Sequence, residues 1–568
     1  MIEAKEIEEC INRLIDRHVD DLDNKNFEID QQFNSLSYNA LLESEDVYNY
    51  FVRFLVNKPS AIEHQHIAMM FYLLNAKNNI YYNSNHKEIY VFNENTVIWD
   101  TFDSNSKDQV LNLIGDELGN SVYVDSIHFL NTILKNLNKK NKEGTKEEQK
   151  ILQFKIKIIQ SHIKQIEKLK SLLYNQTYKN LIWPSLCIFI TNNDIVFDKN
   201  PDFLPIGDSY KINLKNGEVT DRIKSDLFSH SLKNLTYLPY ENFPNVRKYV
   251  NSIFVNEDCT PNQELVDFMQ VLLGYFLTGH IDHRCIYVFT GKTKNGKSKL
   301  IKLLEFILGK FFSICSKKII IKNKGFDSNT APEVYPLSSS RAVCIQEIEE
   351  GESLDAKNVK NFTGDDIITG RMPYEKKLFQ FRTSSKIILC TNKKPNYDSS
   401  DNAMNGRLVI IPFYNIFDPN TKDPEILEFQ KLFDSPDPDF LNQFFSWMVE
   451  GSIKYYESGF PEIPKICQDV IDEYKESNDD LQDFLDTNYM FIDPEKWNTL
   501  HKDKFKNKSI KNTDFIKAFK IYLRDKRRPD LSKKDIEKMY EDKNFKIVTD
   551  SSSKIKYLFG FIYNSFEE

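Results

Sequence analysis

Residues 285–300 of the chain read CIYVFTGKTKNGKSKL, an apolar run that passes into a turn with two glycines and then into a segment of helical spacing. The pattern GxxxxGKS at 291–298 is that of a phosphate-binding loop, whose backbone N–H groups surround the phosphates of a nucleotide. The segments on either side of the loop fit this interpretation. Residues 286–289 predict a buried strand, and the apolar repeat after the loop predicts a helix that ends near Gly309. A lysine-rich surface turn is the alternative. The pattern therefore predicts a nucleotide site.

The positions of this loop have predicted roles. Lys297 would contact the β- and γ-phosphates, and the hydroxyl of Ser298 would hold Mg²⁺. The helix that begins here would direct the positive end of its dipole towards the same phosphates. The candidate nucleotide-binding residues are Gly291, Lys292, Thr293, Lys294, Asn295, Gly296, Lys297 and Ser298.

The bulk composition is that of a long chain of ordinary globular type. Its 568 residues exceed what one hydrophobic core serves, so three or four domains are expected. Charged residues make up 28% and aromatic residues 13%, which provides apolar mass for several cores. The net charge of −8 argues against a protein that coats nucleic acid over its whole surface, so any such contact must come from local basic loops.

The cysteines and the apolar segments restrict the class of protein further. Eight cysteines are scattered singly, without a CxxC pair that would predict a zinc site or a disulfide framework, and we expect them to be reduced. The N-terminus MIEAKEIEEC lacks the apolar core of a signal peptide, and the longest apolar runs are too short to span a bilayer. The sequence predicts a soluble intracellular protein without membrane association.

The first part of the chain predicts an α+β module. Residues 1 to about 60 mix apolar and acidic positions at helical spacing, and residues 66–74 continue this helical pattern. Residues 79–100 predict a hairpin or meander. Residues 136–180 are rich in lysine with apolar positions every third or fourth residue, which predicts a long amphipathic helix or a helical hairpin broken near Gly144. This segment is either a solvated face or a DNA-binding arm. Residues 181–245 return to short strands.

A nucleotide-hydrolysing loop needs acidic partners, and the strand at 341–351 supplies candidates. This segment reads RAVCIQEIEEG, an apolar strand that ends in carboxylates, where such a fold keeps the group that orders Mg²⁺ and polarises the attacking water. Glu347 is the first choice and Glu349 the second. Solvated glutamates at a strand end are the alternative.

Two further strands carry polar residues at their ends. Asn392 ends the apolar strand SSKIILCTN, where its side chain could sense the γ-phosphate or position water. Arg407 comes just before the strand in NGRLVIIPF. An arginine that meets a neighbouring subunit's nucleotide stabilises the charge of the transition state in ring ATPases. A buried structural salt bridge is the other explanation for Arg407.

The order of these segments resembles a known family. GKTKNGKS, IQEIEEG, VKNFTGDDIITGR, KIILCTN and NGRLVIIPF follow one another over about 120 residues, as in the superfamily 3 helicases of viruses and plasmids, and in particular the D5-type replicative helicases of large DNA viruses and some phages. Residues 80–100 and 204–221 resemble parts of the D5 N-terminal module more weakly. The chain differs from the family's pattern at Gly406, where many relatives carry a second arginine next to the one that corresponds to Arg407.

The resemblance implies a ring-forming motor. Members form hexamers of AAA+-like subunits that hydrolyse ATP with Mg²⁺ at subunit interfaces and move along single-stranded DNA. By position, Glu347 and Glu349 correspond to the Walker B group, Asn392 to sensor 1 and Arg407 to the finger that acts in trans. Lys297 would be catalytic as well as nucleotide-binding, and Ser298 with Glu347 would hold the metal.

The segment 367–386 is the candidate for DNA contact. It predicts two strands that flank a turn at 375–377, and the resembling family places a DNA-tracking hairpin here, in the channel of the ring. Lysines in such a turn contact phosphates and so read any base sequence. Plain solvated charge is the alternative. The candidate DNA-binding residues are Lys376 and Lys377 at the tip, followed by Lys360 and Arg371.

The expected fold class is α/β, with an AAA+-like P-loop ATPase core, an α+β N-terminal module and a C-terminal winged-helix-like module. The last expectation rests on residues 480–568, where helical segments precede an alternating run that predicts a terminal hairpin. The predicted domains are 1–245, the N-terminal module; 250–415, the ATPase; 416–475, a helical connector; and 476–568, the winged-helix-like domain.

These features predict an ATP-dependent DNA helicase that unwinds DNA during replication of a virus or another mobile element, in the host cytoplasm or at a viral replication site. A packaging motor, a nucleoprotein loader and a nucleotide-binding module without turnover are the alternatives. Expected partners are single-stranded or forked DNA and further copies of the chain in a hexamer. A separate primase is also expected, because no paired-Asp primase pattern precedes residue 250. Other replisome proteins are expected partners as well.

Overall fold

The computed structural model of the chain divides into two compact units, residues 1–197 and 198–568. No helix among the described residues is both long enough and apolar enough to cross a membrane. The helical pattern expected before residue 47 lies outside the described residues. The structure describes residues 47–57, 59–85, 87–103, 107–239, 243–323, 331–349, 351–371, 378–397, 401–417, 437–491, 509–526, 531–542, 545, 547–549, 553–559 and 561–563.

The first unit combines helices with one antiparallel sheet. Strands β1 (Ile80–Asn83), β2 (Glu88–Asn93) and β3 (Ile98–Asp103) pair in that order, which confirms the predicted meander. The helices of this unit are α1 (Val47–Asn57), α2 (His64–Phe71), α3 (Lys107–Gly119), α4 (Val122–Glu143), α5 (Lys146–Leu172) and α6 (Gln176–Ile190).

Helices α4 and α5 form a hairpin with Gly144 in the connection, which confirms one of the two structures expected for the lysine-rich segment. Thr145 starts α5 with a capping box, because its backbone N–H donates to Oε2 of Glu148 at 2.8 Å. The apolar stripe of each helix faces the core of the unit, as the helical spacing requires. The buried residues include Leu130, Ile133 and Leu137 of α4 and Ile156, Ile159 and Ile166 of α5.

The second unit begins with a small antiparallel sheet of β4 (Phe203–Ile206), β5 (Tyr210–Asn213) and β6 (Val219–Asp221). The predicted N-terminal module, residues 1–245, includes these strands. The apolar side chains of β4 and β5 instead share one buried cluster with helices α7 (Pro244–Ile253) and α8 (Gln263–Leu277). The three strands therefore belong to the same unit as the phosphate loop.

A parallel sheet of five strands forms the centre of the second unit and confirms the predicted α/β class. Its strands run in the order β13-β7-β12-β9-β8. Alternate residues of the central strands point into two separate buried clusters, so each face of the sheet is covered and the strands read as continuous apolar runs. The strands are β7 (Ile286–Thr290), β8 (Phe312–Cys315), β9 (Ala342–Gln346), β12 (Lys386–Thr391) and β13 (Leu408–Pro412).

Helices cover the two faces of this sheet. On one face α8 and α9 (Lys297–Leu308) contribute to the buried cluster, and on the other α11 (Ala356–Thr363) and α14 (Lys465–Ser477) do so. Helix α13 (Pro438–Ser458) crosses α8 closely, since a Cβ on Gly451 would lie 1.9 Å from the backbone O of Gln270. Two short helices, α10 (Pro336–Ser339) and α12 (Asn402–Asn405), precede β9 and β13.

An antiparallel hairpin and a separate C-terminal cluster complete the second unit. Strands β10 (Ile368–Arg371) and β11 (Leu378–Phe381) form the hairpin predicted for the segment 367–386. The C-terminal part has its own buried cluster, in which the antiparallel pair β16–β17 is the predicted terminal hairpin. Its elements are α15 (Asp480–Asn488), β14 (Tyr489–Phe491), β15 (Ser509–Lys511), α16 (Asn512–Asp525), α17 (Lys533–Asp542), β16 (Ile547–Thr549), β17 (Lys556–Phe559) and β18 (Phe561–Tyr563).

Candidate nucleotide site

The loop between β7 and α9 turns so tightly that two of its positions need glycine. Gly291 (φ +148°) has no room for a side chain, because a Cβ there would lie 2.3 Å from the backbone O of Phe413. Gly296 (φ +93°) caps α9 in a conformation that glycine adopts without strain. Two of only 18 glycines in the chain are therefore placed here, one by the close approach of the backbone and one by its positive φ.

Lys297 and Asn295 hold the loop together from inside. The Nζ of Lys297 donates to the backbone O of Gly291 at 2.8 Å, to that of Lys292 at 2.9 Å and to Oδ1 of Asn295 at 2.9 Å. The Nδ2 of Asn295 donates to the backbone O of Phe413 at 3.1 Å, which ties the loop to the end of β13. Lys297 is only 5% exposed, so its charge is held at a defined point within the loop.

The other loop residues face solvent at the start of α9. The side chains of Lys292, Thr293 and Lys294 are exposed, and Ser298 is exposed in the first turn of the helix. This first turn presents backbone N–H groups that have no partner within the helix, together with the positive end of the helix dipole. The loop thus combines a buried ammonium, N–H donors and an exposed hydroxyl, which are groups that bind phosphate and its metal.

The parallel register brings Asn392 and Glu347 to the same edge of the sheet as the loop. Strands β12 and β7 end opposite each other, so Asn392 follows β12 where Gly291 follows β7. Strand β9 ends beside the penultimate residue of β12, and Glu347 follows it directly. Neighbouring strands lie about 4.8 Å apart, so the backbones of these residues lie within about 10 Å of the loop.

The structure distinguishes the two candidate glutamates. Glu347 is exposed, makes no side-chain bond within the described ranges and has a φ of +61°, which is uncommon for a residue with a side chain. Glu349 accepts a hydrogen bond from Nζ of Lys317 at 2.9 Å, and its backbone N–H donates to Oε2 of Glu352 at 2.7 Å. The geometry therefore favours Glu347 as the group that faces a bound nucleotide.

Arg407 lies at the opposite edge of the sheet, where the parallel strands begin. It precedes β13, whose first residue pairs with the first residue of β7, so a five-residue strand of about 16 Å separates it from the loop. Its Nη1 donates to the backbone O of Ala403 at 2.8 Å, and its buried Nε has no partner among the described residues. Arg407 forms no salt bridge with any residue that the structure describes. Its guanidinium therefore cannot reach the loop of its own chain.

A cavity of about 590 Å³ adjoins the first residues of the loop. Its walls come from residues 412–416 at the end of β13 and beyond it, from Glu257 and Cys259, from Lys394, and from Val470 and Glu473 of α14. Burial raises the pKa of Tyr414 in this wall to about 12, and the negative charge of Glu257 adds to that shift. A mixture of apolar and polar surface of this size suits the base and sugar of a nucleotide.

These cavity residues were missed in the sequence because, apart from the loop, they come from four segments without a shared local pattern. The only available signal is that residues 413–416 directly follow the apolar strand that Arg407 precedes.

Lys360 is engaged within the protein. Its Nζ forms an ion pair of 2.6 Å with Oδ2 of Asp401, whose other oxygen caps α12. Burial alone would raise the pKa of Asp401, but the hydrogen bond from Lys360 and the helix N–H groups lower it below its ordinary value. Lys360 thus joins α11 to the short helix that leads to Arg407.

The other candidate DNA contacts lie on the β10–β11 hairpin. Arg371 is the last residue of β10 and is exposed, with Leu378 of β11 opposite it. Lys376 and Lys377 lie outside the described residues. The hairpin strands therefore have the predicted position in the chain, and Arg371 stands where they lead into the tip.

Ser298 and Glu347 form a sparse donor set for a metal ion. No group of three or more His, Cys, Asp or Glu side chains that could hold a metal occurs within the part of the chain that is described. One hydroxyl and one carboxylate suit Mg²⁺, which usually keeps several water ligands and takes the rest from nucleotide phosphates. The residues therefore fit a Mg²⁺ ion that arrives with its nucleotide.

Nucleotide binding should depend on pH through Lys297. Burial lowers the pKa of its ammonium below the ordinary value of 10.5, an effect that the nearby Cys390 partly opposes. Lys297 is charged below this lowered pKa and becomes neutral as the pH rises through it, so ATP affinity should begin to fall before pH 10.5. Equilibrium binding of labelled ATP across alkaline pH measures this, with circular dichroism to confirm folding.

The control for this pH dependence is Lys297→Arg, because a guanidinium keeps its charge throughout that range. An affinity that stays constant for the unaltered protein, or that falls equally in both proteins, would contradict the assignment to Lys297.

Sequence comparison finds relatives in large DNA viruses and a virophage, and no model of a known protein family matches the chain. A protein of Acanthamoeba polyphaga mimivirus, named for an inferred helicase role, is 26% identical over 361 residues, which are 60% of this chain and 36% of that protein. A Sputnik virophage protein named in the same way is 28% identical over 258 residues, which are 41% of this chain and 32% of that protein.

The match extends to a poxvirus protein. Primase D5 of fowlpox virus is 29% identical over 144 residues, which are 24% of this chain and 18% of that protein. The matched part of the chain thus spans about a third or less of these three relatives. Among solved structures, the C-terminal region of NrS-1 aligns with a TM-score of 0.43 and 12% identity, covering 85% of this chain and 95% of that one. In sequence, the chain is thus similar to D5-like helicases, a likeness that rests on the viral proteins named as helicases and on the poxvirus primase D5.

Proposed function

We propose that the chain is an ATP-dependent DNA helicase of superfamily 3 that works as a hexameric ring in the replication of a virus or another mobile element. The observation that carries this proposal is the parallel sheet, which has the phosphate loop, Glu347 and Asn392 at one edge and Arg407 at the other. Hydrolysis between subunits requires these two edges to meet. The helicase names of the viral relatives support the same function.

Within one subunit, the chain would bind ATP and prepare the attack of water. A bound Mg²⁺ ion neutralises charge on the phosphates. Lys297 would hold the β- and γ-phosphates, and Ser298 with Glu347 would hold the metal. Glu347 would also polarise the attacking water, and Asn392 would orient it. The cavity beside the loop would receive the base and the ribose.

A second copy of the chain would complete the site. Because Arg407 lies about 16 Å from its own loop, a neighbouring subunit must provide the guanidinium that stabilises the transition state. Such a head-to-tail contact uses different surfaces on the two partners and closes into a ring when its rotation permits. Six copies are the proposed number.

The DNA strand would contact the β10–β11 hairpin. Lys376 and Lys377 at its tip and Arg371 at the last residue of β10 would bind phosphates of a single strand without regard to sequence. Lys360, which is paired with Asp401, would instead position the helix before Arg407. A separate primase and other replisome proteins are the proposed partners, at a site of viral replication inside the host cell.

Strand separation of forked DNA tests the proposal. The unaltered protein should separate the strands and hydrolyse ATP. Lys297→Ala should lose both activities, because it removes the charge that holds the phosphates and three contacts within the loop. The double variant Lys376→Ala/Lys377→Ala should keep ATP hydrolysis and lose strand separation. Lys310→Ala, exposed just beyond α9, is the control that should keep both.

One outcome would replace this proposal. If ATP is hydrolysed and no strand is separated on forks of either polarity, the chain is better described as a packaging motor or a nucleoprotein loader.

A further inference from the structure

Positive charge is concentrated in one segment of an otherwise acidic chain. Residues 131–170, in helices α4 and α5, contain eleven lysines and four glutamates, whereas the chain as a whole has a net charge of −8. No acidic residue occurs in α4 between Asp125 and Glu143. The C-terminal half of this helix is therefore a strongly basic surface within the first unit.

The apolar packing of the hairpin leaves these lysines on its outside. The buried residues of α4 point to the core, while Lys135, Lys139 and Lys142 are exposed. Steps of four and three residues correspond to about 6 and 4.5 Å along the helix, so the three ammonium groups form a row on one side. None of the three forms an ion pair or a hydrogen bond within the described parts of the chain.

This row borders a groove of about 470 Å³ on the surface of α4. Asn131 and Asn138 add amide donors to the three lysines, and Leu134 alone is apolar among the lining residues. A groove lined by three lysines and no aromatic residue is poorly suited to a protein partner, since lysine is depleted in protein interfaces and aromatic residues are enriched. The same donors are suited to phosphates.

We infer that the groove on α4 binds the sugar–phosphate backbone of single-stranded DNA, as a second DNA site apart from the proposed hairpin. This site would hold the strand by charge, without reading bases and without ATP. The inference goes beyond the proposed motor and does not depend on hydrolysis. Residues 136–180 are predicted from the sequence to be either a solvated face or a DNA-binding arm. For the part in α4, the inference favours the DNA-binding arm.

The salt dependence of DNA binding tests the inference. Binding of a fluorescent, mixed-sequence single-stranded oligonucleotide is measured by anisotropy over a series of salt concentrations, without nucleotide. The variant Lys135→Gln/Lys139→Gln/Lys142→Gln should bind more weakly, and its slope of log affinity against log salt should be shallower by about 2, since each lost phosphate contact to a single strand contributes about 0.7.

A matched variant removes the same charge from the partner helix. Lys157, Lys164 and Lys168 are exposed on α5 and do not line the groove. Their triple change to glutamine should leave the slope as it is in the unaltered protein. Both triple variants should keep the ATP hydrolysis of the unaltered protein, so loss of this DNA site is distinguishable from failure of the motor.

Several results would overturn the inference. These are an unchanged slope in the α4 variant, an equal change in the α4 and α5 variants, or no binding of single-stranded DNA by the unaltered protein. Displacement of the oligonucleotide by polyglutamate as efficiently as by unlabelled DNA would also overturn it, because the groove would then bind acidic polymers in general.

Discussion

Replacement of Glu347 by glutamine should leave ATP binding intact and slow ATP hydrolysis by on the order of 10²- to 10⁴-fold. The substitution keeps the size and position of the side chain at the end of β9 and removes the negative charge that would polarise water. In the proposed function, phosphate binding would rest on Lys297 and the loop, whose hydrogen bonds this change does not touch. Single-turnover hydrolysis together with equilibrium binding of labelled ATP separates the two effects.

Glu349→Gln is the matched control for this prediction. Glu349 lies two residues further on and is held by Lys317 at the surface, so its replacement should change the hydrolysis rate less than about tenfold. The reverse result, in which Glu349→Gln is inactive and Glu347→Gln is active, would show that the surface pair rearranges and that Glu349 is the catalytic carboxylate.

The phosphate loop and the central sheet could be predicted because their signals are local. The loop at 291–298 depends on two glycines that the backbone needs within six residues, and the strands before and after it are continuous apolar runs. The hairpin at α4 and α5 was predictable for the same reason, since helical spacing and Gly144 mark it within one segment. The order of the strands in the sheet, by contrast, was not predicted and is known from the structure.

The features that the sequence did not reveal depend on contacts between distant segments. Strands β4 and β5 pack with α7 and α8 because their apolar sides complete that cluster, which no nearby residue indicates. The ion pair of 2.6 Å between Lys360 and Asp401 joins residues that are forty-one positions apart in the chain. The walls of the cavity beside the loop come from four segments besides the loop itself. Burial and pairing of this kind become visible only when the chain is folded.

Replacement of Arg407 by alanine should slow ATP hydrolysis by about 10³-fold or more, the effect expected for a residue that stabilises transition-state charge. Arg284, which is exposed two residues before β7 at the same edge of the sheet, offers a matched control, and Arg284→Ala should remain active. Steady-state hydrolysis of each variant measures the loss. If Arg284→Ala were inactive and Arg407→Ala active, the assignment would pass to Arg284.

Mixing two inactive proteins distinguishes action in trans from a structural role. Lys297→Ala subunits have an intact Arg407, and Arg407→Ala subunits have an intact phosphate loop. An interface is therefore complete when the loop comes from an Arg407→Ala subunit and the arginine from a Lys297→Ala subunit. In an equal mixture about a quarter of head-to-tail interfaces should pair the two intact halves, and hydrolysis should reappear in proportion. A structural role, through the bond from Arg407 to Ala403, predicts that the mixture stays inactive. Recovered hydrolysis would therefore place the guanidinium of one subunit at the nucleotide of the next.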